Sequence, residues 1–514
     1  MKIHSIHSLL ASLLVGLFVF PTHAQETTQV PETIESLQKR ITDLVCKTQY
    51  NAGLFGVKIV SLDTKKTIYE HDANKLFSPA SNSKLYTMAL ALDRLGPDYR
   101  IKTSLYAKSK PNRWGTLKGD LVVYGRGDPT INVKLHSNDI YQALEPLVTS
   151  LANTGVKRIS GDLIGDESYF HGPPFGSGWD WGDLENYYGA EISTLTINDN
   201  NLVLNLKPGN HIDTPCQLSL VPATDYLKFV NQTKTVAKGG KRNIHLYRPV
   251  AENVIYVSGE MAVDDTGSHE DVTMHNPAGL FITFFKEALA KHGIKVSGKL
   301  RTVNWKDREA QPLDFKQWAE IGSMESLPMR DIIREVQKPS QNLYTDLMLA
   351  HVGRKMLPDG VLSANTTTED AGIKAFCTFI EEAGIKKGET FFEEGSGLSR
   401  NNLTTPNATV TLLEYMSHHK CSDVYINALP IAGVDGTLRK RMKGTAAAGN
   451  IHAKTGTLRW ANSLSGYVTT ASGEHLVFSM MLNRFHDADP NRAKTADMDA
   501  IAVMLAGFTG KTTD

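Results

Sequence analysis

The sequence has few of the features that mark disulfide-stabilised, nucleic-acid-binding or esterase-like proteins. Only four cysteines occur among 514 residues, and their spacing matches no metal-binding motif. Basic and acidic residues balance at 55 each, so charge gives no reason to expect a nucleic acid or an anionic membrane as the main partner. The Gly-x-Ser-x-Gly motif of α/β-hydrolases is absent. What remains is an ordinary globular composition in a chain long enough for roughly three domains.

Long apolar runs are also scarce, and the one that stands out lies near the amino terminus. It extends from Leu9 to Phe20, after Lys2, and is followed by Pro21-Thr22-His23-Ala24. This order is typical of a secretory signal peptide, and the run is too short to span a bilayer. We predict a signal peptide at 1–24 and no transmembrane anchor. The mature chain is then expected in the periplasm or the extracytoplasmic cell envelope.

An exported location permits disulfides, and the four cysteines allow three pairings. Cys377 and Cys421 fall in one helical region and are the favoured pair if any bridge forms, whereas Cys46 and Cys216 lie far away in sequence. Free buried thiols fit the sequence equally well.

The distribution of patterns predicts a discontinuous main domain. Residues 27–97 contain an amphipathic helix, two strands and a second helix, whereas 98–319 is dominated by short β-like runs broken by Gly, Asp, Asn and Pro. Helical patterns return in 320–510, followed by three strands and a final helix. We therefore predict a multidomain α+β protein. Its main domain is a sheet covered by helices, and a largely β insertion of two subdomains splits that domain.

The stretch Pro79-Ala80-Ser81-Asn82-Ser83-Lys84 opens an apolar run of good helix formers that stops at Gly96-Pro97. We expect Ser81 in the first turn of this helix, with Lys84 on the same face three residues later. A serine hydroxyl becomes nucleophilic when a neighbouring base takes its proton, and a buried lysine of lowered pKa can be that base. Ser36 and Lys39 share the spacing, but their charged surroundings favour the surface of an ordinary helix.

Two later motifs carry polar groups that suit a peptide substrate. Ser340 and Asn342 precede a helix that begins near Leu343, where a hydroxyl and an amide can project into a cleft; helix capping is the alternative role for such a serine. Lys454-Thr455-Gly456-Thr457 falls in a predicted strand, where a lysine and hydroxyls suit a substrate with a free carboxylate. Gly456 would let an extended peptide approach the strand edge.

Ser-x-x-Lys, Ser-x-Asn and Lys-Thr-Gly occur here in the order found in penicillin-binding proteins and serine β-lactamases. The chain further resembles the class C low-molecular-mass penicillin-binding proteins, which are D-alanyl-D-alanine carboxypeptidases and endopeptidases. Motifs across the whole mature chain carry that resemblance: Gly127-Asp128-Pro129, Gly165 to Phe170, Tyr188-Gly189-Ala190, Asn198-Asp199-Asn200, Gly395 to Arg400, Leu429 to Leu438 and Ser465 to Val468. Glu394 departs from the family, which usually has Asp there.

The resemblance implies a role for each motif residue. Ser81 is the expected nucleophile, Lys84 its base and Ser340 a proton relay to the leaving amine. The substrate-binding residues are expected to be Asn342, Lys454, Thr455, Gly456 and Thr457, and the backbone N–H groups of Ser81 and Thr457 are the expected oxyanion hole.

The resemblance also implies the partners. Peptidoglycan stem peptides and cross-links are the expected substrates, β-lactams the expected inhibitors, and other cell-wall enzymes potential partners; no metal or organic cofactor is implied. A β-lactamase and a catalytically idle peptidoglycan-binding scaffold are the alternatives. The long insertion favours a cell-wall enzyme over the first, and the intact motif residues argue against the second.

Overall fold

The computed structural model describes residues 32–314, 317–357, 366–487, 489 and 491–513, so the predicted signal peptide lies outside the described residues. The helices are α1 Ile34–Val45, α2 Ser83–Leu95, α3 Ile140–Ala152, α4 Pro277–Lys291, α5 Trp305–Ala310, α6 Met329–Gln337, α7 Asn342–Lys355, α8 Thr368–Glu382, α9 Pro406–Ser417, α10 Ser422–Asn427 and α11 Ala496–Gly507.

The strands are β1 Leu54–Ser61, β2 Thr67–His71, β3 Lys102–Ala107, β4 Thr116–Leu117, β5 Leu121–Tyr124, β6 Arg158–Ile159, β7 Leu163–Asp166, β8 Asn201–Lys207, β9 Gln217–Val221, β10 Lys228–Val236, β11 Asn243–Tyr247, β12 Val254–Ala262, β13 Ser268–Thr273, β14 Lys295–Val296, β15 Leu300–Val303, β16 Ala319–Glu325, β17 Thr390–Phe391, β18 Leu403–Thr404, β19 His452–Leu458, β20 Ala461–Thr469 and β21 His475–Asn483.

The main sheet joins the two ends of the chain. Its strand order is β19-β20-β21-β1-β2, and every neighbouring pair is antiparallel. Strand β20 is buried along almost its whole length, because helices cover both faces of the sheet. On one face α1 and α11 pack through their own apolar side chains, such as Leu37 and Ile501. The other face lies under a second core built around α2.

Helix α2 is the central helix of the main domain. Nearly all of its side chains are buried, including the polar Ser83, Lys84 and Thr87, and Gly96 ends it with a positive φ of 86°. Helices α6, α7, α8, α9 and α10 contribute to the same core. A polar side chain at the start of α2 is therefore held in a fixed, water-poor position.

The segment between β3 and β16 forms its own sheets and its own core. A five-stranded sheet of order β15-β7-β5-β3-β16 lies beside three-stranded sheets of order β10-β12-β11, β13-β8-β9 and β14-β6-β4. Apolar residues of α3 and α4, such as Leu147 and Phe281, fill the core between these sheets. The structure thus has the α+β character and the largely β insertion that the sequence predicts.

Strand β16 bears on where the insertion ends. It pairs antiparallel with β3, from Ala319 opposite Ala107 to Glu325 opposite Lys102. The predicted boundary at 319/320 would separate these paired strands. We propose that the insertion extends to about 325, while the rest of the predicted division remains a prediction.

All four cysteines are free thiols in the structure, with Cys46 and Cys377 exposed and Cys216 and Cys421 buried. The favoured pair of Cys377 with Cys421 does not form, because one thiol faces solvent on α8 and the other lies in the core at the start of α10. Within the described residues, no helix is long and apolar enough to cross a membrane.

Candidate active site

Ser81 lies in a short 3₁₀ turn, Ala80–Asn82, that leads directly into α2. The expectation of Ser81 in the first turn of the α-helix is therefore wrong by one short turn. The cause is local: Ala80 has a φ of 49°, outside the range of a right-handed helix. Asn82 fixes the turn, because its side-chain amide donates to the Lys454 carbonyl oxygen at 3.0 Å.

Lys84 joins this turn to two distant segments. Its Nζ lies 3.0 Å from Ser81 Oγ, 2.6 Å from Asn342 Oδ1 and 2.6 Å from the Ser396 carbonyl oxygen. The lysine is fully buried, with an exposed fraction of 0%. The amine is therefore positioned for proton transfer from Ser81.

Burial lowers the pKa of Lys84 to about 8, against an attraction from the carboxyl groups of Glu394 and Asp346 that acts to raise it. This value makes the neutral amine accessible near physiological pH. A shift from 10.5 to about 8 increases the neutral fraction at neutral pH by a factor on the order of 100.

The second motif lies at the entry to α7. Ser340 has a φ of 69°, and α7 begins at Asn342 after Gln341. Asn342 accepts a hydrogen bond from Lys84, and its side-chain amide donates to the Tyr188 carbonyl oxygen of the insertion at 2.8 Å. Asn342 lies at the helix entry expected from the sequence, the structure brings it against Lys84, and the insertion helps to orient it.

The third motif lies on β19, as expected. Lys454 Nζ donates to Ser340 Oγ at 2.8 Å and to the Thr455 carbonyl oxygen at 2.9 Å. Burial and the nearby Lys84 hold the pKa of Lys454 well below its usual range. Thr455 Oγ1 lies 2.8 Å from Thr437 Oγ1, whereas Thr457 is exposed at the strand edge.

Gly456 packs against other segments of the protein itself. A Cβ at this position would lie 2.2 Å from Ser463 Oγ, 2.5 Å from the Pro79 carbonyl oxygen and 3.1 Å from the Ser81 backbone nitrogen. The protein's own Ser81 turn therefore occupies the space above the glycine. The residue holds β19 against the nucleophile, and the substrate-binding role expected of it stays a prediction.

Sequence reasoning noticed Glu394 only as a departure from the family. Its buried carboxylate accepts hydrogen bonds from the backbone N–H groups of Ser396 and Gly397 and from the Asn402 side chain, at 2.7–2.8 Å. This turn aims the Ser396 carbonyl at Lys84. A carboxylate at position 394 therefore positions an acceptor for the lysine.

Two further groups were missed altogether. Asp346, one helical turn after Asn342 on α7, is buried and accepts from the Gly395 backbone N–H at 3.1 Å. The Tyr188 carbonyl supports Asn342 from the insertion. Every residue has a backbone carbonyl, so the sequence does not show which carbonyl will support the site. Asp346 is linked to the motif only by its position one helical turn after Asn342, so it does not stand out either.

The arrangement can perform acyl transfer on a serine. A hydroxyl lies within hydrogen-bond reach of a buried lysine of lowered pKa, and a second Ser and Lys pair lies next to it. These groups can supply a nucleophile, its base and a proton relay. Fold and site together define a serine acyl-transfer enzyme of the penicillin-recognising class.

Comparison with known proteins gives the family. The chain belongs to the D-Ala-D-Ala carboxypeptidase 3 (S13) family, whose model matches residues 37–505. A D-alanyl-D-alanine carboxypeptidase of Actinomadura sp. strain R39 is 32% identical over 501 residues, covering 93% of this chain and 86% of that protein. D-alanyl-D-alanine carboxypeptidase DacB of Haemophilus influenzae is 25% identical over 502 residues, covering 95% of each.

The structure of penicillin binding protein 4 (dacB) from Haemophilus influenzae has the same fold, with a TM-score of 0.75 and 24% identity over 91% of this chain and 98% of that chain. The expected family and fold class are confirmed, and the chain is a serine-type D-Ala-D-Ala carboxypeptidase.

Proposed function

We propose that the protein cleaves the D-Ala-D-Ala bond of peptidoglycan stem peptides through an acyl-enzyme on Ser81. The single observation that carries this proposal is the 3.0 Å contact between Ser81 Oγ and the fully buried Lys84 amine. Neutral Lys84 takes the hydroxyl proton as Oγ attacks the carbonyl carbon of the penultimate D-alanine. The backbone N–H groups of Ser81 and Thr457 stabilise the oxyanion that forms.

The proton then returns to the leaving group. Ser340, whose Oγ accepts a hydrogen bond from Lys454 Nζ, gives its hydroxyl proton to the nitrogen of the departing D-alanine and regains a proton from the Lys84 ammonium. The C–N bond breaks, the acyl group stays on Ser81 Oγ, and water later attacks the ester to release the shortened peptide. Asn342 holds the amide of the substrate backbone.

The terminal carboxylate of the substrate binds at Lys454, Thr455 and Thr457. A carboxylate that enters this part of the site favours the protonated form of Lys454 and raises its lowered pKa. The substrate carboxylate therefore stabilises the positive charge on Lys454, which the empty site disfavours. This pairing explains why a peptide with a free carboxyl end is the expected substrate.

The same chemistry extends to two related groups of compounds. A D-alanyl peptide cross-link presents an equivalent carbonyl, which gives an endopeptidase activity, and the β-lactam ring presents a strained amide that acylates Ser81. A location outside the cytoplasmic membrane, where peptidoglycan lies, fits the signal peptide predicted at 1–24.

The proposal is tested by release of free D-alanine from a tripeptide that ends in D-Ala-D-Ala. We expect release by the natural sequence and none above background from Ser81→Ala, with circular dichroism to verify the fold of the variant. Ser36→Ala is the matched control, because Ser36 shares the Ser-x-x-Lys spacing but is exposed on α1. Equal release by the natural chain and Ser81→Ala would overturn the proposal.

A further inference from the structure

A cavity of about 280 Å³ lies where the insertion meets the helical part of the main domain. Residues of segments 170–175 and 191–194 form its insertion side. Helix α7 contributes Asp346 and Ala350 to the other side, and the start of α8 contributes Glu369. None of these groups belongs to the three motifs that carry the proposed reaction, although the Asp346 carboxyl also acts on the pKa of Lys84.

Carboxyl groups dominate the charged part of the lining. Glu167, Glu191, Asp346 and Glu369 all line the cavity, against the two imidazoles of His171 and His275. Among the described lining residues there is no lysine or arginine. His275 Nδ1 lies 2.8 Å from Glu191 Oε1, so it is already engaged with one of the four. The cavity therefore carries an excess of acidic groups.

The other three carboxyl groups make hydrogen bonds to neutral partners. Glu167 accepts from Ser193 Oγ at 2.6 Å, and Glu369 accepts from Ser177 Oγ at 2.6 Å. Burial raises the pKa of Glu167 and of Glu369 to about 7. A nearby cation stabilises the ionised form of such a buried carboxyl group, because it offsets the loss of hydration.

Two buried oxygen atoms in the lining have no hydrogen-bond partner among the described residues. Asp346 uses one carboxyl oxygen to accept from the Gly395 N–H, but its Oδ2 is buried and unpartnered. Thr194 Oγ1 is also buried and has no hydrogen-bond partner among the described residues. The two residues are only 4% and 2% exposed, respectively. Buried polar atoms without a partner are costly, so both point to hydrogen bonds supplied by an occupant of the cavity.

The remaining walls are apolar and aromatic. Phe170, Phe175, Ile192 and Trp305 line the cavity. The Trp305 ring is fixed, because its Nε1 donates to the Gly172 carbonyl oxygen at 2.9 Å, His171 stacks on it and Lys306 Nζ lies 4.2 Å from its centroid. The aromatic wall open to an occupant is therefore that of Phe170 and Phe175, and such a wall next to carboxyl groups favours a cation that carries an apolar body.

We propose that this cavity is a binding site for a small organic cation, with an ammonium or amidinium group that donates to Asp346 and an apolar body that packs against the aromatic wall. No cluster of His, Cys, Asp or Glu in the described part of the chain can hold a metal ion, which favours an organic cation. The site is separate from the substrate motifs. Asp346 nevertheless lies one helical turn from Asn342, so the occupant binds next to the active site.

Benzylamine and the neutral benzyl alcohol are matched probes, measured by titration calorimetry on the full mature protein. We expect benzylamine to bind at least about tenfold more tightly than benzyl alcohol, because only the amine pairs with the carboxyl groups. Asp346→Asn should weaken benzylamine about tenfold or more and leave benzyl alcohol unchanged. Glu335→Gln, a half-buried carboxyl of α6 outside the cavity, is the control and should change neither.

Ala350→Met keeps the test decisive if Asp346→Asn fails to fold, because the longer side chain fills the cavity without changing its charge. We expect it to abolish binding of both probes. The proposal would be overturned by equal affinities for the amine and the alcohol, or by the absence of benzylamine binding at millimolar concentration. Unchanged benzylamine binding in folded Asp346→Asn or Ala350→Met would also overturn it. These readouts do not depend on peptidase activity, so the proposed function stands or fails separately.

Discussion

The protonation of Lys84 controls the proposed reaction at the scale of single residues. Only the neutral amine can take the Ser81 proton, and burial places the pKa of this lysine at about 8. We therefore predict that the rate of acylation rises with pH and levels off above about 8. The measurement is the second-order rate of benzylpenicillin labelling across a pH series. A rate that falls as pH increases through this value would contradict Lys84 as the base.

Glu394 provides a second test of the same lysine. Its carboxylate attracts the Lys84 ammonium and raises the lysine pKa, so its removal favours the neutral amine. We predict that Glu394→Gln moves the midpoint of the acylation profile to lower pH. Glu393→Gln, an exposed neighbour, is the control and should leave the midpoint in place. A shift to higher pH in Glu394→Gln would contradict the assigned electrostatics.

The sequence predicts the motif residues well because each belongs to a short pattern tied to a local element. Ser340 and Lys454 lie at the helix entry and in the strand that were expected, and Ser81 lies one short turn before the expected helix. Asp346 and the Tyr188 carbonyl could not be predicted, because their roles depend on which distant segments meet. The close packing at Gly456 could not be predicted for the same reason, because it comes from Pro79 and Ser463, which only the fold brings near.

At the scale of elements, the contact between β19 and the Ser81 turn sets the geometry of the site. Gly456→Ala places a methyl group 2.5 Å from the Pro79 carbonyl oxygen and 2.2 Å from Ser463 Oγ. We predict a loss of about 1–3 kcal/mol in unfolding free energy from overpacking. Slower acylation should accompany this loss as β19 moves away from Ser81.

Chemical denaturation and the rate of benzylpenicillin labelling measure the two effects. Gly507→Ala, at the end of α11, is the control, since its Cβ would meet nothing within 4 Å. If Gly456→Ala matched the natural chain in both stability and labelling, the strand would not be held by this contact.

At the scale of the whole molecule, the insertion is attached to the main domain close to the active site. His171 and Thr368 form a reciprocal pair: the Thr368 hydroxyl accepts from the His171 N–H and the Thr368 N–H donates to the His171 carbonyl oxygen, both at 2.8 Å. Tyr188 reaches Asn342 from the same insertion. The α+β class and the β insertion follow from sequence pattern, but these contacts between separate segments do not.

We predict that Thr368→Val loses about 1–3 kcal/mol in unfolding free energy, because the His171 N–H loses its acceptor. Backbone amide hydrogen exchange should increase in the segment around His171, because the insertion is held less tightly there. Thr378→Val, an exposed position on the same helix, is the control. Unchanged stability and exchange in Thr368→Val would mean that the pair does not hold the insertion.

The central claim is that Ser81 forms a covalent acyl-enzyme, and a time course of intact mass with benzylpenicillin tests it most directly. We predict a lasting adduct of one drug molecule that maps to Ser81 and is absent from folded Ser81→Ala. A transient adduct with turnover of the drug would indicate a β-lactamase. The absence of any adduct, or an adduct retained in Ser81→Ala, would contradict the assignment of Ser81 as the nucleophile.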